Sequence, residues 1–149
     1  MVQIDNMGNL GKIISINISQ HKGIDKTPVK EINLIAGFGL EGDAHGGDWD
    51  RQVSIFPIEA LEKVPAEKKE EVTKGGFTEN ITIQGIPLKD LAVGTKLKIG
   101  DALVLILHIG KEEYKEQGRP YIVSREGRFG RVIEGGIIRI GDKVKIVHG

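Results

Sequence analysis

The sequence predicts a mainly β protein, a barrel interrupted by one short helical insertion. Short runs of isoleucine, leucine and valine are separated by many of the 21 glycines, which is how a sheet protein with tight turns is punctuated. A strand, Gly-Asp turn, strand pattern occurs twice, at Gly94 to Leu105 and Gly135 to Ile146. It reads as two hairpins of one barrel-like sheet, because Gly and Asp tolerate the backbone of tight turns. Only Pro57 to Lys74 has a helical character.

Taken in order, residues 1–10 read as a flexible lead-in, and 11–149 as one domain. Lys12 to Ile18 alternates from Ile14 onward, the pattern of a half-buried strand. His21 to Pro28 reads as a polar loop, and Val29 to Ile35 as a second strand with irregular apolar spacing. Gln52 to Phe56 is a short strand ended by Pro57. In the helical region Ile58, Leu61 and Val72 offer sparse apolar contacts, and Pro65 divides it, since proline suits a first turn but breaks an interior. Its charged residues read as a solvated face. Strands resume at Ile81–Ile83, Lys96–Ile99, Ala102–Ile109, Gly136–Ile140 and Lys143–Val147.

Composition bounds the chemistry. The 21 acidic and 21 basic side chains cancel, which argues against a general nucleic-acid binder. With no cysteine in 149 residues there is no disulfide, thiolate metal site or thiol nucleophile. No apolar run approaches the roughly 20 residues of a membrane-spanning helix. A cytoplasmic location is expected, with no membrane partner.

Gly37 to Gly42 matches G-x-G-x-x-G, but the following Asp43-Ala44-His45-Gly46-Gly47 is unsuited to open the helix that a dinucleotide site requires. In the same segment Asp43 and His45 share one side of an extended chain, a pairing that suits either a metal or the capping of local turns. A ligand-positioning loop with His45 and Arg51 as donors fits better. Lys26, Arg51, Lys111, Arg119, Arg125, Arg128 and Arg131 are cations in or beside loops. Arg51 and Lys111 adjoin both a strand and a glycine-rich turn, and arginine there suits a phosphate or carboxylate. Asn80 offers a donor and an acceptor, suited equally to a heterocycle edge and to a backbone turn. No serine stands in a nucleophile-elbow pattern, and His21, His108 and His148 read as surface or strand-end residues.

Several of these pieces, in order, resemble the MOSC domain, the module named for the C-terminal region of molybdenum cofactor sulfurases. They are Gly39-Leu40-Glu41-Gly42-Asp43-Ala44-His45, Arg51-Gln52-Val53-Ser54, Gly76-Phe77-Thr78-Glu79-Asn80-Ile81, Ile99-Gly100-Asp101-Ala102 and Ile109-Gly110-Lys111. The resemblance implies a barrel similar to the pyruvate kinase barrel domain. It also implies binding of the molybdenum cofactor (molybdopterin), or delivery of sulfur to it through a persulfide on a loop cysteine. In fused sulfurases a separate PLP-dependent domain, not contained in this chain, generates that sulfur. Some stand-alone relatives reduce N-hydroxylated compounds, using the cysteine to hold molybdenum.

Here Glu113 holds the cysteine position and Tyr114 that of the neighbouring histidine. Glu113 is a carboxylate and cannot form a persulfide; it reads either as a candidate oxygen ligand for molybdenum or as a solvent-exposed side chain. Arg128 adds a cation near the expected mouth. The expected protein binds or carries molybdenum cofactor, or a related phosphorylated pterin, without persulfide transfer. Arg51 and Lys111 would hold the anionic end, His45 and Asn80 the pterin, and Lys26 the rim. Its expected partners are molybdoenzymes or cofactor-biosynthesis proteins. Two alternatives stand: a molybdenum-dependent reductase using Glu113, and a ligand-free partner-binding module whose pocket is filled by Trp49 or Phe129.

Overall fold

Residues 10–19, 27–63, 79–110 and 126–147 are described by a computed structural model. The strands are β1 (Gly11–Ile18), β2 (Thr27–Val29), β3 (Glu31–Ile35), β4 (Gly39–Leu40), β5 (Val53–Pro57), β6 (Ile81–Gln84), β7 (Lys96–Ile99), β8 (Ala102–Ile109), β9 (Arg128–Glu134), β10 (Gly136–Arg139) and β11 (Lys143–Val147). Seven of them close a barrel in the order β11-β7-β8-β9-β5-β6-β1, with β1 pairing back onto β11 and β2 attached to β1. A second sheet has the order β10-β3-β4.

All barrel neighbours are antiparallel except β5 and β6, which run parallel. A parallel pair needs a crossover rather than a hairpin, and the helical insertion expected after Pro57 falls there. It begins as a 3₁₀ helix at Ile58–Lys63, while the remainder of the expected helical region, including Pro65, lies outside the described residues. Pro57 is the last residue of β5 and directly precedes that helix, instead of opening it.

The barrel interior is filled by alternating apolar positions, among them Ile13, Ile16, Val53, Ile55, Ile81, Ile83, Leu97, Ile99, Val104, Ile106 and Val144. On β1 the two fully buried apolar residues are Ile13 and Ile16; Ile18 packs partly buried against the core, so the expected alternation holds at Ile16 and Ile18 and fails only at Ile14. The pairing with β6 shifts register between Ile13 and Ser15, and that irregularity turns both Ile13 and Ile16 inward.

Three further expectations are corrected. The single strand expected at Val29 to Ile35 is two, bent at Lys30. β2 pairs with β1, while β3 pairs with β10 and β4, so the chain changes sheet within one residue and its apolar spacing serves two surfaces. The second Gly-Asp repeat is not a hairpin. β7 pairs with β8, but β10 pairs with β3, and β11 pairs with β7 and β1. Gly141 adopts φ 93° and the Asp142 carboxylate accepts from the Arg139 amide at 2.8 Å, so this turn passes the chain between sheets.

The third correction is β9. Arg128 and Arg131 were expected in or beside loops, yet both lie on this strand. Gly130 permits the close pairing with β8, because a Cβ there would run into the Leu105 carbonyl. Arg128 is buried and donates to the carbonyls of Leu91 (3.0 Å), Leu88 (3.0 Å) and Glu126 (2.7 Å). It fastens the Leu88–Asp90 turn to the barrel and is not a cation at a mouth. Burial lowers its pKa, opposed by the Glu126 carboxylate at 3.3 Å.

Among the described residues no helix is long and apolar enough to cross a membrane.

Candidate functional site

Val53 and Ile55 belong to the barrel core, so alternation turns Ser54 to the outer side of the wall. Ser54 is nevertheless buried. The loop between β4 and β5, residues 41–52, begins with glycines that bring it close. Gly39 has φ 128°, and a Cβ there would stand 2.5 Å from the Gln52 carbonyl oxygen, so the two ends of the loop meet only through glycine.

Asp43 is the hub of this loop, with its side chain fully buried. One carboxylate oxygen accepts from the Ser19 amide at 2.8 Å. The other accepts from the His45 amide at 3.3 Å and from Asn80 Nδ2 at 3.3 Å. Asn80 Nδ2 also donates to the Asn17 carbonyl at 3.1 Å. Asn80 Oδ1 accepts from the Ser54 amide (3.0 Å) and the Ser54 hydroxyl (3.1 Å), and Asn80 N donates to Ser54 Oγ at 2.9 Å. Both amide donors and both carbonyl lone pairs of Asn80 are thus engaged within the chain. Among the described residues the buried Asp43 carboxylate accepts from the Ser19 and His45 amides and from Asn80 Nδ2.

His45 lies at the edge of this hub, with Nδ1 3.7 Å from Asp43 Oδ2 and its imidazole about one-third exposed, at 35%. Its carbonyl accepts from Trp49 Nε1 at 2.8 Å. That bond keeps Trp49 on the loop surface, where it is 42% exposed, so it does not fill a pocket.

The other end of the loop is tied to β8 and β9. Arg51 lies over the Phe129 ring, with its Cζ 4.5 Å from the centroid, and Nη1 donates to the Gly110 carbonyl at 3.2 Å. An arginine on an aromatic face keeps its planar fork oriented. Among the described residues the bond to Gly110 is its one hydrogen bond. Beside it, Arg131 donates to Asp48 (2.8 Å) and Asp50 (3.1 Å), while His108 Nε2 stands 3.2 Å from Asp50. The Arg131 hydrogen bond, then that of His108, holds the Asp50 carboxyl below the usual aspartate range.

Of the residues singled out by sequence, His45 and Asn80 meet at Asp43, and Arg51 stands at Gly110. Lys26, Lys111, Glu113 and Tyr114 lie outside the described residues. Among the described residues no group of three or more His, Asp or Glu side chains is arranged to hold a metal ion. Asp43 caps the local turn, its carboxylate accepting from the His45 amide. Sequence reasoning missed the hub role of Asp43, the platform under Arg51 and the Asp48–Arg131–Asp50–His108 network. Only Asp43 left a local signal, its place in a Gly-rich turn.

This geometry can be set beside known proteins. The MOSC domain family model matches residues 41–111, the stretch holding Asp43, His45, Arg51, Asn80 and Gly110. Over that stretch the chain is similar to the MOSC domain family. Solved structures share the MOSC fold along nearly its whole length. YuaD from Bacillus subtilis superposes with a TM-score of 0.65 at 17% identity, covering 92% of this chain and 95% of that one. YiiM from Escherichia coli gives 0.64 at 22% identity, covering 93% and 70%. A hypothetical protein gives 0.72 at 22% identity, covering 99% and 72%. No curated protein matches the sequence.

Proposed function

We infer that this MOSC domain binds or carries a phosphorylated pterin of the molybdenum cofactor class and does not transfer sulfur. The observation that carries the reading is Arg51. Its guanidinium stands on Phe129, is held at the Gly110 carbonyl, and makes no other hydrogen bond among the described residues, which leaves donors for an oxyanion. The sequence sets Lys111 directly after Gly110 and a carboxylate, Glu113, two residues further on. The two cations, Arg51 and Lys111, fit the anionic end of such a ligand, whereas Glu113 would repel it. The chain does not fit its sulfuration, because it has no thiol to carry a persulfide.

Arg51 and Lys111 hold the anionic end, His45 offers its imidazole at the loop edge, and Lys26 serves the rim. Asn80 is assigned a bracing role in place of direct pterin contact, because its amide is spent on Asp43, Asn17 and Ser54. The bound cofactor would supply molybdenum redox chemistry; the chain binds and orients it. Its partners in this reading are molybdoenzymes or cofactor-assembly proteins of the cytoplasm.

Isothermal titration calorimetry with molybdopterin tests the assignment. A charge-assisted hydrogen bond contributes about 1.5–3 kcal/mol, so Arg51→Ala should weaken binding by roughly 10- to 100-fold. Arg51→Lys should recover only part of it, since an ammonium lacks the planar fork. No saturable heat with the unaltered protein, or equal affinity in Arg51→Ala, would discard the reading.

A further inference from the structure

We propose that the barrel wall formed by β1, β11 and β7 is a docking surface for an acidic segment of a partner protein. This wall carries a stripe of five lysines. Lys12, Lys96, Lys143 and Lys145 are exposed and Lys98 is half-buried, alternating with the inward Ile13, Leu97, Ile99 and Val144. The register sets Lys12 directly opposite Lys143, and Lys98 directly opposite Lys145. Lys96 continues the row opposite Val147. Neighbouring strands lie about 4.8 Å apart and alternate residues about 7 Å apart, so the stripe runs diagonally over roughly 16 Å.

Directly opposed like charges destabilise a sheet, and composition does not force them here, since acids and bases are equal in number. On the smaller sheet the chain does the opposite. Glu31 stands opposite Arg139 and the two form an ion pair at 3.1 Å. Among the described residues none of the five lysines has an ion-pair partner. The next positions outward do not neutralise them either. Gln84 stands opposite Lys12 on β6, and the acid Glu134, opposite Leu103, lies on β9, two strands from β7.

Protection of a sheet edge, a common reason for lysines on strands, does not apply, because these strands are inside a closed ring. The charge is therefore kept at a cost to the fold, as a recognition surface requires.

The chemistry of the stripe selects the partner. It contains no arginine for bidentate phosphate recognition and no aromatic residue on which a base would stack. Carboxylates on one face of an extended segment recur at the same interval of about 7 Å as Lys143 and Lys145. Leu103 and Leu105, half-buried opposite Lys98 and Lys96 on β8, add an apolar margin. Complementary charge of this kind sets encounter rate and orientation, giving a transient, salt-sensitive contact.

The test is fluorescence anisotropy with a labelled peptide alternating glutamate and threonine. An oligothymidylate and phosphatidylserine vesicles serve as competing ligands. The unaltered protein should bind the peptide at low ionic strength and release it at about 0.3 M salt. The double variant Lys98→Glu/Lys143→Glu should bind at least about tenfold more weakly. It should also melt no lower than the unaltered protein, because each new glutamate faces a lysine across the sheet, so weaker binding would not reflect unfolding. Absence of peptide binding at low salt, equal binding by the double variant, or tighter binding of oligothymidylate or vesicles would each overturn the proposal.

Discussion

Replacing Asn80 with alanine is the sharpest test of how the loop is built. Asn80 is 1% exposed and its side chain makes four hydrogen bonds, to Asn17, Asp43 and twice to Ser54. Each such bond contributes about 1 kcal/mol net, and an orphaned buried partner costs about 1–3 kcal/mol. A water entering the space vacated by the amide would recover part of this. The expected loss is therefore about 3 kcal/mol, which for a domain of this size lowers Tm by roughly 10 °C. Urea denaturation should show the midpoint falling at unchanged m-value. Hydrogen exchange should quicken at Ala44, whose amide bonds Ser19, and at Gly46, whose amide bonds the Asp43 carbonyl. Asn80→Asp should be worse than alanine, since it sets an acceptor against Asp43 Oδ2 and the Asn17 carbonyl. A loss below about 1 kcal/mol for the alanine variant would refute the hub as described.

Other outcomes follow from the same geometry. Gly130→Ala should destabilise by at least about 2 kcal/mol in chemical denaturation, because its Cβ meets the rigid Leu105 carbonyl. Gly37→Ala meets nothing within 4 Å and should cost only the strain of φ 73°, about 1 kcal/mol; equal costs would contradict the steric account. Arg128→Ala strips the Leu88 and Leu91 carbonyls of their buried donor and should cost about 3 kcal/mol by the same assay; a cost near zero would place Arg128 outside the core. Asp50 titrates below its ordinary 3.8, so its contribution to stability is present above that pH and is lost as pH falls through the depressed value. Carboxyl NMR titration should show Arg131→Ala raising the Asp50 midpoint toward the ordinary value, and an unmoved midpoint would exclude the pairing.

Much of the barrel was legible in the sequence because its strands alternate locally. Lys96–Ile99 and Ala102–Ile109 were expected with the bounds that they have, since Leu97, Ile99, Val104 and Ile106 fall on one face. β9 was not legible. Two arginines and a glycine erase its alternation, and only the partner strand explains them, through the Leu105 carbonyl for Gly130 and the Leu88–Leu91 turn for Arg128. The two Gly-Asp repeats look alike locally but diverge in pairing, because a strand's neighbours are chosen by distant residues. The same limit applies to the site. Arg51 stood out beside its glycines, yet the ring beneath it comes from Phe129 and its acceptor from Gly110, both far along the chain. Asn80 had two equal readings in the sequence, and burial against Asp43 and Ser54 supplies the reason to favour one.

Native mass spectrometry of the purified protein tests the central claim most directly, that an anion site at Arg51 outlives the missing thiol. The account predicts a bound phosphorylated pterin in the unaltered protein, displaced by added molybdopterin and absent from an Arg51→Ala variant of unchanged Tm. A protein that neither carries nor takes up the pterin, or an Arg51→Ala variant that retains it in full, would contradict the account.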